Sequence, residues 1–137
     1  MHVTGANTVA DVAAVKAAER AAIAAGVSED MLIEHAVAGL LNAVQNMPCR
    51  SIAVVYGSGN NGADGLTLAR HLAAQGRDVT LVAGTDSMRN DRYKKAALYC
   101  GARMGDLSDF TADDLIVDAL FGTGLNRPPE GTAAESI

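Results

Sequence analysis

Apolar positions along the chain follow two periods, and the change between them outlines the fold. From Thr8 to Ala25 the sequence is rich in alanine, with charges at Asp11, Lys16, Glu19 and Arg20, and it stops at Gly26. Alanine favours helix and glycine suits a helix C-terminus, so this segment predicts a first helix. Ser28, followed by Glu29 and Asp30, makes a good helix N-terminus. Behind it Leu32, Ile33, Ala36, Val37, Leu40, Leu41 and Val44 recur on one helical face, which predicts a second helix ending near Asn46, ahead of Pro48.

The pattern then shortens. Ser51-Ile52-Ala53-Val54-Val55-Tyr56 is a brief apolar, β-branched run suited to a strand buried on both faces. Leu66 to Gln75 returns to helical spacing through Leu68, Ala69 and Leu72 and ends in Gly76, and Val79 to Ala83 reads as a second strand. Asp91 to Cys100 predicts a polar-faced helix closed by Gly101, with a short strand near Ala102 to Met104. Leu115 to Leu120 is the last strand, and Gly122-Thr123-Gly124 turns straight after it.

Two helices followed by strands alternating with helices predict an α/β fold: a Rossmann-like, three-layer α/β/α arrangement with a mostly parallel sheet. Ligands of such sheets bind outside the carboxyl ends of the strands, where both glycine-rich turns fall. With 137 residues, 49% of them hydrophobic, the chain reads as a single domain spanning 1–137 with enough apolar material for a core. A formal charge of -5 provides no electropositive field for nucleic acid, and no apolar run is long enough to span a membrane. A cytoplasmic protein is expected. Cys49 and Cys100 lack metal-site spacing, and His2, His35 and His71 are scattered, so both thiols read as reduced and structural.

The chemistry concentrates in Gly57-Ser58-Gly59-Asn60-Asn61-Gly62-Ala63-Asp64-Gly65. Gly57, Gly59 and Gly62 satisfy GxGxxG between a strand and a helix, where backbone N–H groups can approach a pyrophosphate. The ribose-binding acid of ordinary dinucleotide enzymes should follow about 20 residues later, and only Asp86 is near. A conventional NAD-dependent oxidoreductase is therefore disfavoured. Asn60, Asn61 and Asp64 can hold a hard cation or a ligand's hydroxyls and amide, or can simply serve as turn and cap residues. Asp118 interrupts an apolar strand near its carboxyl end, where a carboxylate needs a partner or a role. Gly122, Thr123, Gly124, Leu125, Asn126, Arg127 and Pro128 offer N–H groups, a hydroxyl and a guanidinium suited to phosphate.

Gly59 to Leu66 and Val117 to Arg127 closely resemble the two signature motifs of the YjeF N-terminal domain, the NAD(P)H-hydrate epimerases. Leu32-Ile33-Glu34-His35-Ala36 is similar to that family's Leu-Met-Glu-Asn-Ala stretch. The resemblance implies an isomerase that interconverts the R and S epimers of NADHX and NADPHX, hydrated nicotinamide cofactors, with a bound potassium ion. It implies that Asn60, Asn61, Gly62, Ala63 and Asp64, together with Gly122 to Pro128, bind the hydrated cofactor. It further implies that Asn61 and Asp118 ligate K+ and that Asp118 is the acid at the reacting centre.

Ala63 and Val37 stand where the family has glycine, and Ala63 is expected to disfavour positive φ in the loop. The resemblance also implies further strands, an Asp-Ile-Pro-Ser-Gly stretch and a later Lys beyond Ile137. The domain is therefore expected to be incomplete at its C-terminal end, and to act as a homodimer or with a complementing C-terminal fragment. The alternative is a non-catalytic nucleotide- or protein-binding module that keeps the fold alone.

Overall fold

The computed structural model describes residues 12–85 and 87–120. Its elements run α1 (Val12–Ala24), α2 (Glu29–Val44), β1 (Ile52–Tyr56), α3 (Asn60–Ala74), β2 (Val79–Ala83), α4 (Asp91–Tyr99), β3 (Arg103–Met104), a 3-10 turn (Leu107–Asp109) and β4 (Leu115–Ala119). The four strands form one parallel sheet in the order β3-β2-β1-β4. This is the α/β architecture expected from the alternating pattern. The predicted helix start at Thr8, the residue Asp86 and the turn Gly122 to Pro128 lie outside the described residues.

Side-chain alternation along β1 divides the core in two. Ile52, Val54 and Tyr56 join Val79, Leu81 and Val117 against Val37 and Val44 of α2, Leu66 and Leu72 of α3, and Ala97 of α4. The intervening Ala53 and Val55 join Val82 and Leu120 under Leu107 and Phe110. Among the described residues, then, α2, α3 and α4 cover one face, and the 3-10 turn lies on the other. Topology accounts for the split. Going from β1 to β2 to β3 the chain steps outward one way, and β4 returns to the opposite side of β1. Parallel crossovers are right-handed, so that reversal sends the last connection across the other face.

The helix ends follow the residues that mark them. Ser28 accepts a hydrogen bond on its hydroxyl from Met31 N, at 3.2 Å, and caps α2. Gly26, Gly76 and Gly101 are the described residues with positive φ. Each closes a helix in the same way: Val27, Arg77 and Ala102 donate back to Ala22, Leu72 and Ala97. Arg77 then reaches across to the turn after α2, donating to the carbonyls of Gln45 at 2.6 Å and Met47 at 3.1 Å.

One boundary differs from expectation. Helix α3 begins at Asn60, six residues before Leu66, so most of the glycine-rich stretch is helix. Glycine is a poor helix former, and close packing against the sheet overrides that propensity here.

Candidate functional site

The site begins where β1 ends. Gly57 N donates to Ala119 O at 3.1 Å, and a Cβ on Gly57 would stand 2.3 Å from Leu120 O. The loop proper is therefore Gly57-Ser58-Gly59, after which Gly59, in an extended conformation, caps α3. A Cβ on Gly62 would lie 2.1 Å from Gly57 O, and one on Gly65 would lie 2.5 Å from Ala119 Cβ. These glycines let the first turns of α3 press against the ends of β1 and β4. None of them uses positive φ. The strain expected at Ala63 does not arise, because Ala63 is helical, buried and bonded through its N–H to Gly59 O at 3.2 Å.

Sheet order places this junction at a particular point. β1 leads into α3 on one face while the chain reaches its neighbour β4 over the other, with Val55 facing Asp118 and Tyr56 facing Ala119 in register. Open α/β sheets bind ligands at this switch point, beyond the carboxyl ends of the strands. A crevice of ≈ 300 Å³ opens beside the start of α3, lined by Asn60, Ala63 and Asp64 together with Ser58, Asn90 and Arg89. A second cavity, of ≈ 280 Å³, lies at the other end of the sheet among Arg50, Ser51, Asp78 and Arg103. Both of its arginines are paired, Arg50 with Asp114 at 2.8 Å and Arg103 with Asp78 at 2.6 Å.

The predicted residues divide by direction. Asn60, Ala63 and Asp64 line the crevice, whereas Asn61 and Gly62 are buried and absent from its lining. Asp118 is half-buried, and its Oδ1 accepts from Leu120 N at 3.0 Å. It shares a strand end with Ala119, the residue packed under Gly65.

Electrostatics distinguish the carboxylates. Asp64 has its pKa pushed up to about 6, chiefly because burial penalises its charge, with the nearby Glu19 carboxylate adding to the effect. On the rim, Asp30 accepts from Arg92 at 2.8 Å and 3.1 Å and from the Tyr93 hydroxyl at 2.8 Å. Those bonds hold its carboxyl below the usual range and tie α2 to α4. The Arg92 guanidinium also stacks 4.5 Å from the Tyr93 ring centre.

A family model described as YjeF-related protein N-terminus matches residues 29–137. The chain belongs to this family. The YjeF-related match spans the whole stretch from α2 through Asn60–Asp64 and Asp118 to Gly122–Pro128. The chain is 43% identical to the bifunctional NAD(P)H-hydrate repair enzyme Nnr of Thermofilum pendens, over 90% of this chain and 26% of that enzyme. It is 39% identical to the NAD(P)H-hydrate epimerase of Leuconostoc mesenteroides, over 77% of this chain and 51% of the relative. With the NAD(P)H-hydrate epimerase of Rhodobacter capsulatus the identity is 34%, over 85% of this chain and 63% of the relative. Among solved structures, that of yeast ynu0 superposes with a TM-score of 0.69 at 22% identity, covering 90% of this chain and 60% of that one, a likeness of fold.

Sequence reasoning missed Arg89, Arg92, Tyr93 and above all Asn90 as residues lining this crevice. Asn90 directly precedes an acidic helix start and so resembles a cap. Its side chain makes no cap bond and instead donates to Gly57 O at 2.8 Å and to Gly59 O at 3.0 Å.

Proposed function

We propose that this chain forms part of an NAD(P)H-hydrate epimerase, an isomerase that interconverts the R and S epimers of NADHX and NADPHX. The observation that carries the reading is the Gly57-Ser58-Gly59 turn opening α3 at the β1/β4 switch point, with Asn60, Asn61 and Asp64 on the first turns of the helix. The chain spans between about a quarter and two thirds of the length of the relatives it matches. The activity of the whole therefore belongs to this proposal, as does a cytoplasmic setting.

The residues suggest a division of labour. The start of α3 provides N–H groups and a favourable dipole for the cofactor's phosphates. Asn60 and Asp64 offer an amide and a carboxyl to its hydroxyls and carboxamide. Gly122 to Pro128 complete the contact in this reading. Epimerisation at the hydrated carbon breaks and remakes its bond to water, or opens and closes the ring, and both routes need proton transfers. Asp118 is the acid assigned to that centre.

Potassium is the cofactor of this reading, held by Asn61 and Asp118. The donor types fit a hard monovalent ion: Asp118 offers a carboxylate and Asn61 an amide carbonyl, with no group of three or more His, Cys, Asp or Glu suited to a transition metal among the described residues. When bound, the ion would supply positive charge beside the reacting centre. A partner along β4, which pairs only with β1 among the described residues, either a second copy or a C-terminal segment, also belongs to the reading.

The test is a mixture of NADHX epimers followed by chromatography. Approach to the equilibrium ratio in the presence of this protein is the expected result. An unchanged mixture, with binding of the cofactor retained, would favour a non-catalytic module.

A further inference from the structure

Asn90 lies between β2 and α4, is 8% exposed, and borders the crevice. Its Nδ2 donates to two carbonyls more than thirty residues earlier, Gly57 O at 2.8 Å and Gly59 O at 3.0 Å. Of the two ends of an amide only the NH2 donates, and it carries a hydrogen for each carbonyl, so the partners fix which end points inward. A neighbouring glycine leaves room for it. A Cβ on Gly62 would stand 2.8 Å from Asn90 Nδ2 and 2.1 Å from Gly57 O. The missing side chain at 62 and the amide at 90 thus form one device.

We propose that Asn90 is a positioning residue of this site, its amide gripping the carbonyls of Gly57 and Gly59 so that the loop presents the start of α3 to ligand. The proposal rests on the functional reading above and deepens it. Two carbonyl oxygens carry partial negative charge at the mouth of a site for a phosphorylated cofactor. Bonding both to Asn90 compensates that charge and holds it away from the phosphates. Gly59 O also accepts the first helical bond of α3, from Ala63 N at 3.2 Å, so the grip extends to the direction of the helix itself. Through Asn90 the β2–α4 connection and the β1–α3 loop must move together.

The experiment uses the protein carrying this sequence, with Asn90→Ala and Asn90→Asp. The alanine variant should lose at least tenfold in kcat/KM on NADHX epimers while remaining folded by circular dichroism. The aspartate variant places oxygens against both carbonyls until its carboxyl is protonated, when it can donate one bond. Its activity relative to wild type should therefore rise as pH falls below about 6. The comparison with wild type is needed because Asp64 on α3, and Asp91 and Lys94 on α4, titrate in both proteins. Hydrogen exchange supplies a readout free of activity: amides 60–62 should exchange faster in Asn90→Ala while those of β1 do not. Unchanged kinetics, an aspartate variant with the wild-type pH profile, or a loss of activity matched by an equal loss of folded protein would each overturn the proposal. If wild type fails to epimerise, the functional reading falls, and the exchange of amides 60–62 still decides whether Asn90 positions the loop. Should the alanine variant not fold, the pH profile and exchange of Asn90→Asp decide instead.

Discussion

Asp118 and Asp64 are two carboxylates whose surroundings ask different things of them. Asp118 keeps one oxygen on Leu120 N, and an amide of the same shape can still accept that bond. Asp118→Asn should therefore leave the unfolding midpoint within a few degrees of wild type. It should also abolish the rise in that midpoint when potassium replaces a large organic cation at constant ionic strength, as mass action for native-state binding requires. Equal rises in both proteins would remove Asp118 from the ion site. Asp64 behaves through burial: with its pKa raised from 3.8 to about 6, the folded state binds more protons than the unfolded one between those values. Stability is thus lost as pH climbs through that window and stays low above it. Asp64→Asn should match wild type near the bottom of the window and exceed it above, by at most about 3 kcal/mol, the equivalent of a shift of roughly two units. Urea unfolding of both proteins at the two ends of the window checks the sign. Residues that act on their own backbone were legible in the sequence, as Ser28, Gly26, Gly76 and Gly101 illustrate. Asn90 was not, because its partners are more than thirty residues away and only the folded chain brings them to it.

At the level of elements, periodicity identified each helix and strand but misplaced the start of α3. The rule that glycine opposes helix is sound for exposed turns, and it fails where the helix must lie against a sheet. Gly65 makes the point, since its absent Cβ would meet Ala119 Cβ at 2.5 Å, whereas a Cβ on Gly39 in α2 would meet nothing within 4 Å. The same substitution should then have opposite effects at the two positions. Gly39→Ala gains helix propensity and should stabilise by up to about 1 kcal/mol. Gly65→Ala gains the same propensity but overpacks the helix–strand contact, at a cost of about 1–3 kcal/mol, and should come out destabilised. Denaturant midpoints of the two variants measured side by side are the check, and a stabilised Gly65→Ala would mean that α3 can shift away from the sheet without penalty.

At the scale of the whole molecule the sheet order puts β4 at one side, paired only with β1 among the described residues. Ile116 of β4 is 49% exposed, and a parallel strand with apolar side chains is ordinarily covered on both faces and paired on both edges. Composition alone could not reveal this, because an edge strand and a central strand of a parallel sheet look alike; the family resemblance is what led to an unpaired β4 edge being expected. The Rhodobacter capsulatus epimerase is longer than the stretch this chain matches, which is 63% of its length. The part of that relative which follows the matched stretch should dock on β4, cover Ile116 and bring further groups to the switch point next to Asp118. Mixing it with this chain should raise epimerisation at least tenfold, since fixing positioning groups in place is worth orders of magnitude in rate. Replacing Ile116 with lysine, a charge set on the exposed face of β4, should weaken that gain while leaving the unmixed chain folded. Full turnover by a monodisperse chain on its own, unaltered by the added segment or by Ile116→Lys, would mean that α3 and Asp118 suffice for the chemistry and that the edge of β4 needs no partner.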